Sequence, residues 1–313
     1  IVYRIGCLWH HVRYNYKAVA MKCYGKKILT TPSKHSTAKQ LIRSFLQLRM
    51  IGAKWRHLFV TLFSDNDVEL LFKRLVMRII GHRGARGEAP ENTLGGFQYI
   101  QDLGLRAVEF DVRQLKDHAL IVMHDDQMLR TTGQNKYLYE CSQADLAPYN
   151  HAVTWSSWNQ FEPTPLLEQT LNVIDNFEHI EVEVKAVECE HSAWQITQTL
   201  QRYLQGFEDT AIITSFDPKI HQALQQQQSC FKRGLLIEDS RGEQAIEDAI
   251  QLGCCQIGWM DELASDELIQ ATQQAELKVS VWTVNQIDRA KHLRDLGVQG
   301  LITDYPKRML QHL

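Results

Sequence analysis

Residues 78–126 read RIIGHRGARGEAPENTLGGFQYIQDLGLRAVEFDVRQLKDHALIVMHDD. The runs 78–81, 107–113 and 119–124 are short, apolar and β-rich, which predicts strands. Residues 93–103 between the first two predict a helix, with Gly104 as its stop. Strand, helix, strand is the unit from which parallel sheets are built. Chemistry-bearing residues stand in or just after these runs: Gly81-His82-Arg83-Gly84, Glu109-Phe110-Asp111 and His124-Asp125.

Outward from this stretch the alternation continues. Further strands are expected at 179–185, 211–216, 233–237, 254–257, 278–284 and 300–303. Helices are expected at 166–177, 191–204, from Pro218 onward, at 242–252, 265–275 and 286–296, with a short one at 306–313. Pro218 suits a first helical position and Ser265 an N-cap. Eight β/α units in residues 77–313 fit an α/β fold of the (β/α)8 TIM-barrel type, whose usual size is about 250 residues. The longest departure follows the second strand, where an irregular insertion of roughly 125–165 holds Trp155, Trp158 and Phe161. An open doubly wound sheet is the competing architecture; the chain has no Gly-rich dinucleotide fingerprint to support it.

The 313 residues are 44% hydrophobic and 23% charged, the balance of an ordinary globular protein with a sizeable core. No apolar run reaches the roughly 18 residues of a membrane helix. The start, IVYRIGCLWHHVRYNYK, lacks the apolar core and cleavage site of a signal peptide. Seven scattered cysteines, none in a C-x-x-C pair, suit free thiols in a reducing compartment. Adjacent Cys254 and Cys255 are expected on opposite sides of a strand.

The net charge of -3 conceals a split. Residues 1–77 carry 14 Lys+Arg against 3 Asp+Glu, and the remainder carries 20 against 34. This marks a boundary near residue 77. Met77 directly precedes the first strand. The expectation is that it is the natural start and that the basic extension 1–76 is not part of the native protein. The other reading is a basic arm for nucleic acid or an anionic membrane, with a loosely amphipathic helix from Phe59 to Met77.

Barrel active sites form at the C-terminal ends of the strands. Glu109 and Asp111 are alternate residues and share a strand face. Close carboxylates repel unless a cation lies between them, and oxygen ligands select Mg²⁺ or Ca²⁺. A bare Glu-x-Asp is usually a solvated edge, but the flanks Val108, Phe110 and Val112 argue for an inward face. Glu181, Glu183 and Lys185 share one face of the third barrel strand, unless it is an exposed edge of alternating charge. A cation shared by Glu183, Glu109 and Asp111 would compensate their burial. Lys185 could hold a phosphate as a point charge, and Arg83 could fork onto one. His82 and His124 each close an extended run and could serve as base and acid near neutral pH. His118, His179, His191 and His221 lack such company and read as structural or surface. Glu188-Cys189-Glu190-His191 reads as the start of a solvated helix.

The chain resembles the glycerophosphodiester phosphodiesterase family. The motifs that carry the resemblance are His82-Arg83-Gly84, Glu91-Asn92-Thr93, Glu109-Phe110-Asp111-Val112, His124-Asp125, Leu129-Arg130-Thr131-Thr132-Gly133, Glu183-Val184-Lys185, Trp282-Thr283-Val284-Asn285 and Thr303-Asp304-Tyr305-Pro306. They run in order from Arg78 to the C-terminus and leave 1–76 uncovered. The resemblance implies a catalytic barrel over 77–313 with the small insertion after its second strand. It implies a divalent cation, Mg²⁺ or Ca²⁺, on Glu109, Asp111 and Glu183, and acid/base roles for His82 and His124. Arg83 and Lys185 would contact the phosphate, and Trp282 would line the glycerol or head-group side. Glu91 and Asn92 would organise the loop under His82. One departure is Pro165-Leu166-Leu167-Glu168, where the family has Thr in second place; it leaves the metal site intact and bears on head-group preference.

The implied activity is hydrolysis of small glycerophosphodiesters, such as glycerophosphocholine, to sn-glycerol 3-phosphate and an alcohol, through a cyclic glycerol phosphate. The implied location is cytoplasmic, with no nucleic-acid partner and no membrane insertion. Two alternatives share the sequence. One is a lysophospholipase-D-like phosphodiesterase, which needs an apolar surface for an acyl chain. The other is a non-catalytic barrel, which a missing histidine or carboxylate would have favoured; none is missing.

Overall fold

The computed structural model describes residues 77–313. The expectations for the extension 1–76 and the helix begun at Phe59 lie outside the described residues. Eight parallel strands close a barrel: β1 (Arg78–His82), β2 (Ala107–Gln114), β4 (His179–Val184), β5 (Ala211–Ser215), β6 (Lys232–Ile237), β7 (Gln256–Met260), β8 (Lys278–Trp282) and β9 (Gly300–Thr303). They pair in that order, and β1 closes the ring by pairing both β2 and β9. The remaining strand, β3 (Leu120–Val122), is antiparallel to β2, with Val112 opposite Val122.

The helices are α1 (Leu94–Asp102), α2 (Leu129–Thr132), α3 (Leu167–Val173), α4 (Glu190–Tyr203), α5 (Pro218–Gln226), α6 (Gln244–Gln251), α7 (Asp266–Gln274), α8 (Ile287–Asp295) and α9 (Pro306–His312). All but α2 lie between or after barrel strands. Their starts follow local chemistry. Thr93 caps α1 by accepting from Gly96 N, Asp217 caps α5 ahead of Pro218, and Ser265 caps α7 through Leu268 N. The longer helices bury one face against the barrel. In α4 it is Ala193, Ile196, Thr197 and Leu200, spaced three and four apart. Phe97 of α1 meets Phe110 of β2 edge-on at 5.8 Å, worth about 1 kcal/mol beyond its area. A small buried apolar group of Ile80, Ala107 and Ile302 has Trp282 packed against it.

All eight expected strands are present, and the β1–β2 pairing that closes the ring excludes the open sheet. Two details differ. The extended run at 119–124 contributes only three ladder residues and is antiparallel. Cys254 and Cys255 lie before β7 rather than within it. Cys254 N closes the end of α6 onto Ala249 O, Cys255 N donates to Arg233 O, and the paired residues of β7 begin at Gln256. Among the described residues no helix is long and apolar enough to cross a membrane.

The insertion leaves β3 and returns at Pro165–Leu166, where Val122 N donates to Pro165 O and Ile121 bridges Leu166. It is fastened to α1 by Glu162, which accepts from Trp158 Nε1 (2.9 Å) and Gly95 N (3.1 Å). Buried His151 bonds Thr131 Oγ1 (2.9 Å) and Thr164 Oγ1 (2.7 Å), tying its two ends.

His221 is fully buried on α5 and donates from Nε2 to Ser215 O at 3.1 Å. Burial pushes its pKa down to about 4 from the ordinary 6.5. The unfolded chain therefore binds a proton that the folded chain refuses between those values, and stability falls as pH drops through that window. By pH 5 the loss is about 2 kcal/mol from this group. Replacing it in His221→Asn is expected to shrink the difference in urea stability between pH 7 and pH 5 by that amount. An unchanged difference would show that His221 does not drive the acid limb.

Candidate active site

The turn after β1 is set by two glycines. A Cβ at Gly81 would collide with Gly84 O, and Gly84 has φ 87°. Between them Arg83 adopts φ 49°, and Asn92 in the same loop adopts φ 53°. Left-handed backbone at non-glycine residues costs on the order of 1 kcal/mol each. It is offset here by hydrogen bonds: Arg83 N donates to Glu109 Oε2 (3.0 Å), and Asn92 N donates to Arg83 O (2.9 Å). Asn92 Nδ2 also donates to Asp111 Oδ2 at 2.7 Å. The loop is thus clamped onto the carboxylates of β2.

The ladder fixes those carboxylates. Asp111 of β2 stands opposite Glu183 of β4, and Glu109 opposite both His82 of β1 and Glu181 of β4. One oxygen each of Glu109, Asp111 and Glu183 lies within 4.8 Å of the others, and all three residues are buried. Lys185 Nζ is 2.5 Å from Asp111 Oδ1 and also reaches Glu183 Oε1. Arg83 Nε is 3.2 Å from Asp111 Oδ2. Two cations thus face three carboxylates. Burial, then repulsion from Asp111 and Glu183, pushes Glu109 well above the carboxylate range. Burial and Asp111 push Glu183 up to about 7. Although burial opposes it, Lys185 and Arg83 hold Asp111 far below the usual range.

The cluster fits a divalent cation. Glu109 Oε1 is buried with no hydrogen-bond partner among the described residues. The donors are all oxygen, the set that hard cations prefer. Glu181, on the same face as Glu183, is buried but separate; its partner is His179 Nε2 at 2.9 Å.

The two histidines flank this cluster. His82 Nε2 is 3.9 Å from Glu109 Oε2, while Nδ1 donates to Asp304 Oδ1 at 2.6 Å. His124 Nδ1 donates to Asp125 Oδ1 at 2.7 Å. An ionised carboxylate can only accept, so in each neutral ring Nδ1 carries the proton and Nε2 is left with its lone pair. Burial pulls the His82 pKa below its ordinary value, and the bond to Asp304 opposes that pull. Asp304 is itself fixed by Asn285 Nδ2 at 2.8 Å. Glu91 accepts from Arg83 Nη1 at 2.9 Å. At the other side of the mouth Trp282 donates to Gly258 O (3.0 Å) and meets Phe216 edge-on at 5.4 Å.

The residues proposed for the site from the sequence, His82, Arg83, Glu91, Asn92, Glu109, Asp111, His124, Glu183, Lys185 and Trp282, fall at this end of the barrel, whereas Glu181 and His179 do not. Three others there were quoted only within motifs or passed over. Asp304 orients His82. Arg113 Nε holds His124 O at 2.7 Å. Arg130 bridges Asp125 and Glu91. The carboxylate beside a histidine in His124-Asp125 was a readable signal; Asp304 meets His82 only because the barrel closes.

The description "Glycerophosphoryl diester phosphodiesterase family" belongs to the family model that matches residues 82–308. A glycerophosphodiester phosphodiesterase of Caldanaerobacter subterraneus is 24% identical, over 74% of this chain and 96% of the relative. A lysophospholipase D of Rattus norvegicus is 25% identical, over 77% of this chain and 87% of the relative. A solved phosphodiesterase of Oleispira antarctica, in complex with the product sn-glycerol-3-phosphate, superposes with a TM-score of 0.69 at 23% identity, covering 76% of this chain and 97% of that one. Barrel and matches together define an enzyme of the phosphodiesterase class. Within that class, the chain belongs to the glycerophosphoryl diester phosphodiesterase family.

If Asp304 sets the tautomer of His82, Asp304→Asn is expected to lower phosphodiester turnover about 100-fold, the lower range for a general acid or base. Steady-state kinetics checks this, and a variant within twofold of the parent would remove Asp304 from the site.

Proposed function

We propose that the protein hydrolyses small glycerophosphodiesters, such as glycerophosphocholine or glycerophosphoethanolamine, to sn-glycerol 3-phosphate and an alcohol. One observation carries this reading: two histidines, each with Nδ1 tied to an aspartate, flank a buried three-carboxylate cluster. Glu109, Asp111 and Glu183 would hold a divalent cation, Mg²⁺ or Ca²⁺, which when bound neutralises phosphate charge and lowers the pKa of the glycerol C2 hydroxyl.

The chain's own residues supply the rest. Lys185, hydrogen-bonded to Glu183 and ion-paired with Asp111, would place a further N–H donor on a phosphate oxygen. Arg83 presents its remaining guanidinium edge to the same group. One histidine Nε2 removes the C2 hydroxyl proton as that oxygen attacks phosphorus. The other, protonated, gives its proton to the departing alcohol oxygen. A cyclic glycerol phosphate results. Water opens it with the two roles exchanged, so both histidines return to their starting states. Glu91 and Asn92 hold the loop that carries Arg83, and Trp282 borders the glycerol or head-group side. A cytoplasmic location agrees with the absence of disulfides among the described residues.

A second reading has a specific support. Leu129, Tyr139, Val153 and Phe161 are exposed large apolar side chains, all in the insertion, and one relative is named a lysophospholipase D. An acyl chain is a fitting partner for such a surface. Parallel assays of glycerophosphocholine and lysophosphatidylcholine separate the readings.

Metal depletion is expected to abolish turnover, and Mg²⁺ or Ca²⁺ to restore it. A substrate analogue lacking the C2 hydroxyl is expected to be inert. Full activity after depletion sinks the cation, and undiminished turnover of the analogue sinks the cyclic route. His82→Ala and His124→Ala are each expected to lose at least 100-fold in turnover while melting near the parent temperature; near-parent activity in either overturns its assignment.

A further inference from the structure

Of the two proposed catalytic histidines, His124 is the one that no barrel strand carries. It follows β3, and its side chain is 36% exposed. Its backbone is held by Met123 N on Asp111 O (3.0 Å) and by Arg113 Nε on its own carbonyl. Asp125 Oδ1 is the partner of its ring. The other Asp125 oxygen, Oδ2, accepts from Arg130 Nε at 2.7 Å. The far edge of the same guanidinium donates from Nη1 and Nη2 to Glu91 Oε2 and Oε1, both at 2.7 Å. Glu91 Oε1 is also the acceptor for Arg83 Nη1.

We propose that Arg130 is a positioning residue: its planar fork sets the His124 ring in register with Arg83 across the mouth of the barrel. The inference rests on the phosphodiesterase reading above. If Arg83 grips the phosphate, His124 Nε2 must stand within hydrogen-bond reach of an oxygen on the same phosphorus. A displacement of about 1 Å there costs about 100-fold in rate. Among the described residues the Arg130 guanidinium is the group that joins Asp125 to Glu91, and its two edges are at a fixed angle.

Ordinary exposed ion pairs contribute little, and Arg130 is 44% exposed. This pair differs in geometry and surroundings. It is bidentate, and Glu91 is only 11% exposed. Burial alone would raise the Glu91 pKa; the bonds from Arg130 and the charge of Arg83 hold it down to about 2. The turn that presents Arg130 is fixed on its own account. Thr132 Oγ1 donates to Met128 O, Gly133 closes α2 in the left-handed region, and His151 pins Thr131.

The test uses the full chain with added cation and glycerophosphocholine, and compares Arg130→Lys, Arg130→Gln, Asp125→Asn and the double variant Arg130→Gln/Asp125→Asn. The expected kcat loss is about 10-fold in Arg130→Lys, which keeps the charge but not the fork, and about 100-fold in Arg130→Gln, with KM within threefold of the parent. The double variant is expected to be no slower than its worse single, because residues acting as a unit are not additive. Ring ¹⁵N NMR of His124 gives a readout independent of turnover: a fixed Nδ1–H tautomer in the parent and an averaged one in Arg130→Gln. A KM rise at constant kcat would make Arg130 a substrate ligand instead. Additive losses, or an unchanged tautomer in both Arg130 variants, would also overturn the proposal. If the parent itself fails to turn over glycerophosphocholine, the functional reading fails and the tautomer measurement alone decides the positioning role. Should Arg130→Gln not fold, Arg130→Lys carries both readouts.

Discussion

Three buried carboxylates locked close together are the constraint that orders this end of the molecule. Their oxygens lie within 4.8 Å of one another. At an effective dielectric near 20, each fully ionised pair at that distance is unfavourable by about 3.5 kcal/mol. The strands cannot relieve this, because parallel register puts Asp111 beside Glu183 and Glu109 one layer away. Relief has to come from positive charge and from donors. Arg83, Lys185, the Arg83 backbone N–H and Asn92 all converge there. The strained loop after β1 has a physical reason in this account. Left-handed Arg83 and Asn92 are the conformations that bring an amide, a guanidinium and a side-chain amide onto the same two carboxylates.

A second pattern is the repeated use of an aspartate behind a histidine, reached by two different routes. Asp304 lies 222 positions from His82 and meets it because β9 closes on β1. Asp125 is the next residue after His124 and needs no closure. The long-range pair is backed by Asn285, from the loop after β8. The local pair stands on an insertion and is backed by Arg130. In both cases the carboxylate does the same chemical work: it accepts the hydrogen bond from Nδ1–H and leaves Nε2 with its lone pair.

Much of the fold and the main cluster could be read from residues alone because they depend on short periods. Alternation of two in Glu109-Phe110-Asp111 and in Glu181-Val182-Glu183 tells which side chains share a face, and eight alternating units tell the barrel. Periodicity could not tell Glu183 from Glu181. Both face inward, yet Glu181 is paired one layer down with His179, a residue the sequence offered only as structural or surface. Depth along the barrel is set by register between strands, which no single strand records. The boundary at Cys254 failed for a related reason: apolar character began two residues before the ladder, where the chain was still closing α6. Asp304 and Arg130 lay inside quoted motifs without roles, because their partners are fixed by closure and by the path of the insertion.

The site therefore divides into parts held by different forces. The carboxylates sit on strands, where each is fixed by ladder bonds on both sides and by packing such as Phe97 on Phe110. The His124 side is held by side-chain hydrogen bonds from the insertion, and the insertion itself is fastened to the barrel by Glu162 and His151. Changes in the insertion's outer surface, including its exposed Tyr139, Val153 and Phe161, leave the ladder and the carboxylates untouched. The Arg83–Glu91–Arg130–Asp125–His124 chain of hydrogen bonds crosses that seam and is the link between the two parts.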